Sequence, residues 1–310
     1  MQKVNACIRE HMDSDVTMIP AIGSYIVKSG GKRLRPLLCL LSSRLFGYEG
    51  ERHIPLAVVV EFLHTASLLH DDVVDSSSER RGTPSANGVW GNQASVLVGD
   101  FLFSRALQGM VDDNDWRVIR LLSHVTNALA EGEVLQLTRT FHLGMTEAEC
   151  LEVIERKTAV LFSAAAELGA IVSGQDEQVI QSMHEYGMCL GVAFQLMDDA
   201  LDYSADMQAV GKPVGHDLEE GKITLPLIHA MRSDAGLLQT VQEIAERGDY
   251  AEGEREKVRQ AVDQAGGLEQ CLEAARDYAA RAKRALPVDG DAKVLKLLED
   301  LADFSAQRPY

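Results

Sequence analysis

Two aspartate clusters, LLHDDVVD at residues 68–75 and MDDALD at 197–202, are where this sequence first shows chemistry. Each closes an apolar, helix-forming run. In the first, Asp71 and Asp75 are four apart and share one stripe of a helix, with His64 and Ser67 further back along it. In the second, Asp198 and Asp202 repeat the spacing, with Phe194 and Gln195 one turn earlier. Like charges at i,i+4 repel by roughly a few tenths of a kcal/mol, so an offsetting cation is expected. Carboxylates with neither a histidine pair nor a thiolate suit a hard ion such as Mg2+, which completes its shell with water and substrate phosphate oxygens. Two facing helices of this kind would hold several Mg2+ around one diphosphate. A solvated helix end explains one such cluster, but not two that are each followed by a basic loop.

Diphosphate also needs fixed cations. GGKRLRP at 30–36 sets Lys32 and Arg35 in a glycine-led turn entering a helix, an expected anion site. It is not a phosphate loop of the G-x-x-x-x-G-K-[ST] type. Arg80 and Arg81 follow the first aspartate cluster, and Lys212 and Lys222 follow the second. Lys157 and Thr158 sit in ERKTAVLFSAAAELG, on a helix whose next turns are rich in alanine.

The elements that must position these groups read as helices: 3–28, 36–46, 55–75, 92–109, 115–139, 147–173, 178–206, 222–232, 236–247, 253–264, 268–285 and 291–307. Breakers separate them at Gly30-Gly31, at 76–84, at 211–217 and at Gly266-Gly267. No alternating run bounded by hairpin turns predicts a strand. About twelve helices with no linker predict one all-α domain spanning 1–310.

The 310 residues, 46 % hydrophobic and 25 % charged, have a globular balance. A net charge of −17 argues against nucleic acid as a partner. The five cysteines are scattered, without C-x-x-C, and fit a reducing cytoplasm rather than a zinc site or disulfide framework. The N-terminal stretch has no apolar signal core, and the run IPLAVVV stops at Glu61, so no membrane insertion is expected.

Taken together, GGKRLRP, EFLHTASLLHDDVVD, NQASVLVGDFLFSRA, EGEVLQL and AFQLMDDALDY, in this order, resemble the trans-type polyprenyl diphosphate synthases, most of all the long-chain members. The resemblance runs from residue 30 nearly to the C-terminus. It implies an isoprenoid-synthase-type bundle around a central cavity, usually a homodimer. It further implies Mg2+ on Asp71, Asp75 and Asp198, with Asp72, Asp199 and Asp202 supporting the ions. Lys32, Arg35, His64 and Arg81 would hold isopentenyl diphosphate. Arg80, Lys157, Thr158, Gln195, Lys212 and Lys222 would surround an allylic diphosphate such as farnesyl diphosphate. His64 would position diphosphate, and His70 has no role in this reading. His216 departs from the pattern, standing before Asp217 where many relatives carry an acidic residue.

Product length is expected to follow from the tunnel wall. Ala66 and Ser67, one turn before Asp71, are small where short-chain relatives carry a bulky aromatic residue. That implies an open tunnel and a long product, about C40 by overall likeness and between C30 and C50, of the kind used as a quinone side chain. Phe101, Phe103 and Met110 are candidates for a deeper floor. Competing readings explain less. A shorter-chain synthase or the catalytic subunit of a heteromeric synthase keeps the same motifs. An HD-type metal phosphohydrolase leaves Asp75, Asp198, Asp202 and GGKRLRP unused. A terpene cyclase would not need the second aspartate motif and the isopentenyl-binding cations, and a regulatory subunit would carry degraded motifs.

Overall fold

The computed structural model describes residues 1–28, 31–80, 82–204 and 215–307, so Arg81 and Lys212 lie outside the described residues. The chain divides into two compact units. One comprises Met1–Thr126, Ala164–His184 and Pro287–Leu295. The other comprises Asn127–Ser163, Glu185–Leu286 and Lys296–Tyr310. Both are helical, as the all-α expectation requires.

In the first unit the helices are α1 (Gln2–His11), α2 (Met18–Lys28), α3 (Leu34–Leu45), α4 (His53–Val74), α5 (Ala86–Trp90) and α6 (Asn92–Asp113). The segment read as one helix over 3–28 is two. Pro20 accounts for the break: in an unbroken helix it would lose the bond to the residue 16 carbonyl and clash with it, whereas in the first turn of α2 its missing N–H costs nothing. The strand-free expectation also needs correction. Glu79–Arg80 (β1) pairs antiparallel with Thr83–Pro84 (β2), in the register Glu79 with Pro84 and Arg80 with Thr83. Two-residue strands are too short to leave an alternating pattern in the sequence.

The central helix of this unit is α4. It packs on α1, α3 and α6 and buries Leu56, Val60, Phe62, Leu63 and Ala66. By length and composition α4 would suffice to cross a membrane, which the sequence reading did not foresee, but 61 % of its apolar window is buried inside the protein. It is a core helix, and burying each such leucine stabilises the fold by about 1.5–3 kcal/mol. Glycines set its distance from α6. A Cβ at Gly99 would lie 2.4 Å from His70 Nε2, and one at Gly109 would lie 2.5 Å from Val59 Cγ2. Ser95 donates to the Leu69 carbonyl (3.0 Å), and His70 Nε2 sits 3.2 Å from the Val96 carbonyl, so His70 fastens α6 to α4.

The second unit carries the C-terminal half of α7 (Trp116–Thr138), then α8 (Glu147–Ile154), a π-helical turn (Glu155–Ala159) and the start of α9 (Val160–Val172). It continues with most of α10 (Glu177–Leu201), then α11 (His216–Glu219), α12 (Leu225–Ser233), α13 (Ala235–Arg247), α14 (Glu254–Gln264), α15 (Gly267–Ala285) and most of α16 (Ala292–Ala306). The expectation of one helix over 147–173 holds for its span but not for its winding. Tyr203, Leu218, Leu225, Val241, Val262 and Cys271 form the core against which α10 and α12 pack. α12 and α15 touch backbone to side: a Cβ at Gly267 would lie 2.2 Å from the Pro226 carbonyl oxygen.

Candidate active site

In the first unit, the last two turns of α4 carry the first aspartate cluster. Asp71 and Asp75 are half-buried, and the Asp75 N–H closes the helix on the Asp71 carbonyl (2.8 Å). Asp72 turns inward, 3 % exposed, and accepts from Arg80 Nε at 2.6 Å. Arg80 is thereby anchored by a carboxylate, and the pair holds the β1–β2 hairpin onto α4. Asn87 and Ser77 reinforce the joint by donating to the Asp72 carbonyl (3.0 and 2.9 Å).

Two turns earlier on α4, His64 Nε2 stands 3.2 Å from Arg35 Nη1. A guanidinium only donates, so Nε2 accepts and the imidazole proton sits on Nδ1. Glu61, three residues before His64, accepts from Arg33 Nη1 at 2.8 Å. Lys32, just before these two arginines, is exposed. A cavity of about 40 Å3 lies here, lined by Arg33, Glu61, His64, Thr65 and Leu68 among others. Ala66 is fully buried, and half-buried Ser67 donates to the Leu63 carbonyl (3.2 Å). Phe101 and Phe103 are half-buried, Phe101 beneath the Arg105 guanidinium at 5.0 Å, and Met110 is buried.

In the second unit the π turn does the positioning. It carries Lys157 and Thr158, with Lys157 Nζ 2.6 Å from Glu133 Oε2 on α7 and Thr158 Oγ1 donating to Gln195 Oε1 at 3.0 Å. Gln195 Nε2 donates in turn to Asp199 Oδ1 (2.8 Å), which fixes the orientation of its amide. Glycines on both sides permit this. A Cβ at Gly132 on α7 would lie 2.8 Å from the Lys157 backbone nitrogen. On α10, a Cβ at Gly191 would lie 2.5 Å from Ala159 Cα, and one at Gly187 would lie 2.5 Å from Ser163 Cα. Gly187, Gly191, Gln195 and Asp199 follow each other at four-residue steps on a single face of α10. The same row therefore brings the helices together and delivers the polar groups.

Lys157, Thr158, Gln195, Asp199, Asp217 and Lys222 line a cavity of about 130 Å3. Burial pushes the Asp199 carboxyl up to about 7, against the hydrogen bond from Gln195. Burial and then the neighbouring Asp202 and Asp199 push Asp217 well above the carboxylate range. Asp198 is half-buried. Asp202 Oδ1 accepts from the Gly215 and His216 N–H groups (3.0 and 3.2 Å), and its Oδ2 accepts from the Asp217 N–H (3.0 Å). Its carboxylate thus caps the turn into α11, although burial still raises its pKa overall. Lys222 pairs with Glu220, and its backbone N–H donates to the Asp217 carbonyl (2.7 Å).

Glu61, Arg33, Glu133 and Asp217 carry no assigned role in the motifs read from the sequence. A signal existed for two of them: Glu133 follows Gly132 in EGEVLQL, and Arg33 stands between Lys32 and Arg35. Among the described residues, no three acidic, histidine or cysteine side chains form a ready metal cage. The donor set at both clusters is carboxylate oxygen, which fits a hard cation that completes its shell with water and ligand oxygens.

Comparison with known proteins agrees with this arrangement. The polyprenyl synthetase family model matches residues 16–264. The octaprenyl diphosphate synthase of Escherichia coli (strain K12) is 45 % identical over 310 residues, covering 99 % of this chain and 95 % of the relative. The decaprenyl diphosphate synthase structure from Rhodobacter capsulatus superposes with a TM-score of 0.94 at 44 % identity, covering 99 % of this chain and 95 % of that one. The polyprenyl synthase of Caulobacter crescentus CB15, complexed with calcium and isoprenyl diphosphate, gives 0.95 at 43 % identity, covering 100 % and 95 %. The fold and site define a prenyl-transferring enzyme. The chain belongs to the polyprenyl synthetase family.

Gly191→Ala tests the packing. The added methyl group meets backbone, so α10 must retreat from the π turn at a cost of about 1–3 kcal/mol. A lowered thermal midpoint with unchanged helix content is expected, and an unchanged midpoint would mean the approach is not tight.

Proposed function

We propose that this enzyme condenses an allylic diphosphate with isopentenyl diphosphate, repeatedly, to a long all-trans polyprenyl diphosphate with about the eight isoprene units made by its octaprenyl relatives. The observation that carries this reading is the second unit's cavity, where Lys157, Thr158, Gln195 and Lys222 share a wall with buried aspartates. Such a site pairs cations for a diphosphate with carboxylates for its counter-ions. Asp71, Asp75 and Asp198 would hold Mg2+, with Asp72, Asp199 and Asp202 behind them. Mg2+ bound there supplies charge neutralisation to a departing diphosphate. The calcium and isoprenyl diphosphate of the Caulobacter structure support the pairing of hard cation and ligand.

Lys157, Thr158, Gln195, Lys212 and Lys222, with Arg80, hold the allylic diphosphate while its C1–O bond breaks and diphosphate leaves with the electron pair. Lys157, tied to Glu133, is fixed before charge develops, which is where electrostatic stabilisation is most effective. Lys32, Arg35, His64 and Arg81 hold isopentenyl diphosphate, whose double bond attacks the allylic carbon. The new C–C bond leaves a cation that loses a proton to the departed diphosphate. His64, with Nε2 occupied by Arg35, positions rather than abstracts.

We read the chain as one functional domain, since the family model runs through parts of both units. A homodimer is supported by α6, where exposed Val96, Leu97, Leu107 and Val111 fall within about 100° of arc at 100° per residue. The free cysteines, most of them buried, fit a reducing cytoplasm, and a long prenyl chain suits a quinone side chain.

The test is product analysis after incubation with Mg2+, farnesyl diphosphate and labelled isopentenyl diphosphate. A ladder ending at one long product is expected, and folded protein that elongates no primer would overturn the reading. Asp71→Ala should reduce condensation by roughly a hundredfold or more with the fold intact, and near-normal turnover would remove the metal assignment. For product length, half-buried Ser67 accepts a larger side chain better than Ala66, which is packed on all sides. Ser67→Phe should shorten the product, and an unchanged ladder would take Ser67 out of the tunnel wall.

A further inference from the structure

Three cations fall within four residues at the entry to α3: Lys32, Arg33 and Arg35. They are not presented alike. Lys32 is exposed, and Arg35 reaches His64. Arg33 turns inward to Glu61, and both side chains of that pair are nearly buried, at 14 % and 13 % exposed. Arg33 is also left-handed, with φ 46° and ψ 42°, and stands at the N-cap of α3 without a capping hydrogen bond from its side chain. For a residue other than glycine that conformation is strained, so something must hold it.

The Glu61 carboxylate is what the structure offers. A nearly buried ion pair is a poor source of stability, because desolvation offsets its attraction. It is a good source of geometry, because breaking it strands a charge. On α4, Glu61 and His64 are three residues apart and share a face, so one helix edge grips the segment at Arg33 and again at Arg35. With Arg33 drawn in, one of three mutually repelling charges at the entry to α3 is cancelled, and Lys32 and Arg35 are the two that the functional reading assigns to a ligand.

We propose that Glu61 is a positioning residue for isopentenyl diphosphate, acting through Arg33 to hold the 31–35 segment in its binding conformation. This deepens the functional reading above and rests on Lys32 and Arg35 being the diphosphate ligands. Arg33 is then a strap, not a third ligand. If the segment adopts the competent conformation only a tenth of the time without Glu61, apparent affinity for isopentenyl diphosphate falls about tenfold.

The test measures KM separately for the two substrates. Glu61→Gln should raise the isopentenyl KM about tenfold and leave the allylic KM within about twofold. Adding Arg33→Met to Glu61→Gln should give no further rise, because the two residues act as one unit. Should Glu61→Gln fail to fold, Glu61→Asp, which keeps the charge at shorter reach, should show a smaller rise in the isopentenyl KM alone. Lys32→Ala serves as the control for the underlying reading. If Lys32→Ala raises the isopentenyl KM and the Glu61 variants do not, the strap is refuted and the site stands. A rise in both KM values together, or a loss of thermal stability with neither KM changed, would make Glu61 merely structural and also refute it. If Lys32→Ala leaves the isopentenyl KM unchanged, the ligand assignment fails and the strap with it.

Discussion

Backbone-to-backbone approach at the π turn is the constraint on which the second unit depends. Helices normally stand 8–10 Å apart because side chains separate them. At Glu155–Ala159 the side chains are missing where they would intrude: Gly132 faces the Lys157 nitrogen, and Gly191 faces Ala159. Only at that distance does the Thr158 hydroxyl reach Gln195, and only then is the Gln195 amide free to turn its N–H toward Asp199. The cavity wall is therefore a product of what the sequence omits as much as of what it contains. A single methyl group at either glycine would displace every polar group downstream of it.

Both units handle charge in the same way. Cations in and beside the candidate site are each anchored by a partner on a neighbouring element: Arg80 by Asp72, Arg33 by Glu61, Lys157 by Glu133. Anchoring cancels the formal charge of the pair but removes the freedom of a long side chain, and a site that must hold a diphosphate through bond breaking gains from groups that need not reorganise. The surplus of acid, −17 overall, thus has a structural component beside its solvation of the surface.

Periodicity alone made much of the fold legible. The apolar spacing of α4, α6 and α10 places those helices to within a few residues, and the aspartates at their ends are readable because four-residue spacing has one meaning on a helix. What escaped were features with no periodic signature. The break at 12–17 depends on one proline, the hairpin on two-residue strands, and the π turn on a single extra residue within an otherwise continuous helical pattern. Glu61 and Glu133 escaped for another reason. Each is an ordinary charged residue on a helix, and its partner lies 28 or 24 residues away in sequence. Asp202 shows the converse. Its motif position is plain in the sequence, but the three N–H groups that occupy its carboxylate come from residues 215–217, beyond any local pattern.

The π turn also gives the chain a dependence on length as well as on identity. Its closing bond runs from the Val160 N–H to the Glu155 carbonyl, five residues back instead of four. One residue of an α-helix is about 100° of rotation, so this insertion shifts the phase of everything after it by that angle relative to α8. Removing any one residue between 155 and 159 would let the ladder close as a regular helix and swing the faces of α9 round by more than a quarter of a turn. Ser163 would leave the Gly187 contact with no substitution at either position. Two chains that differ here by one residue would be nearly identical in composition yet have different cavity walls.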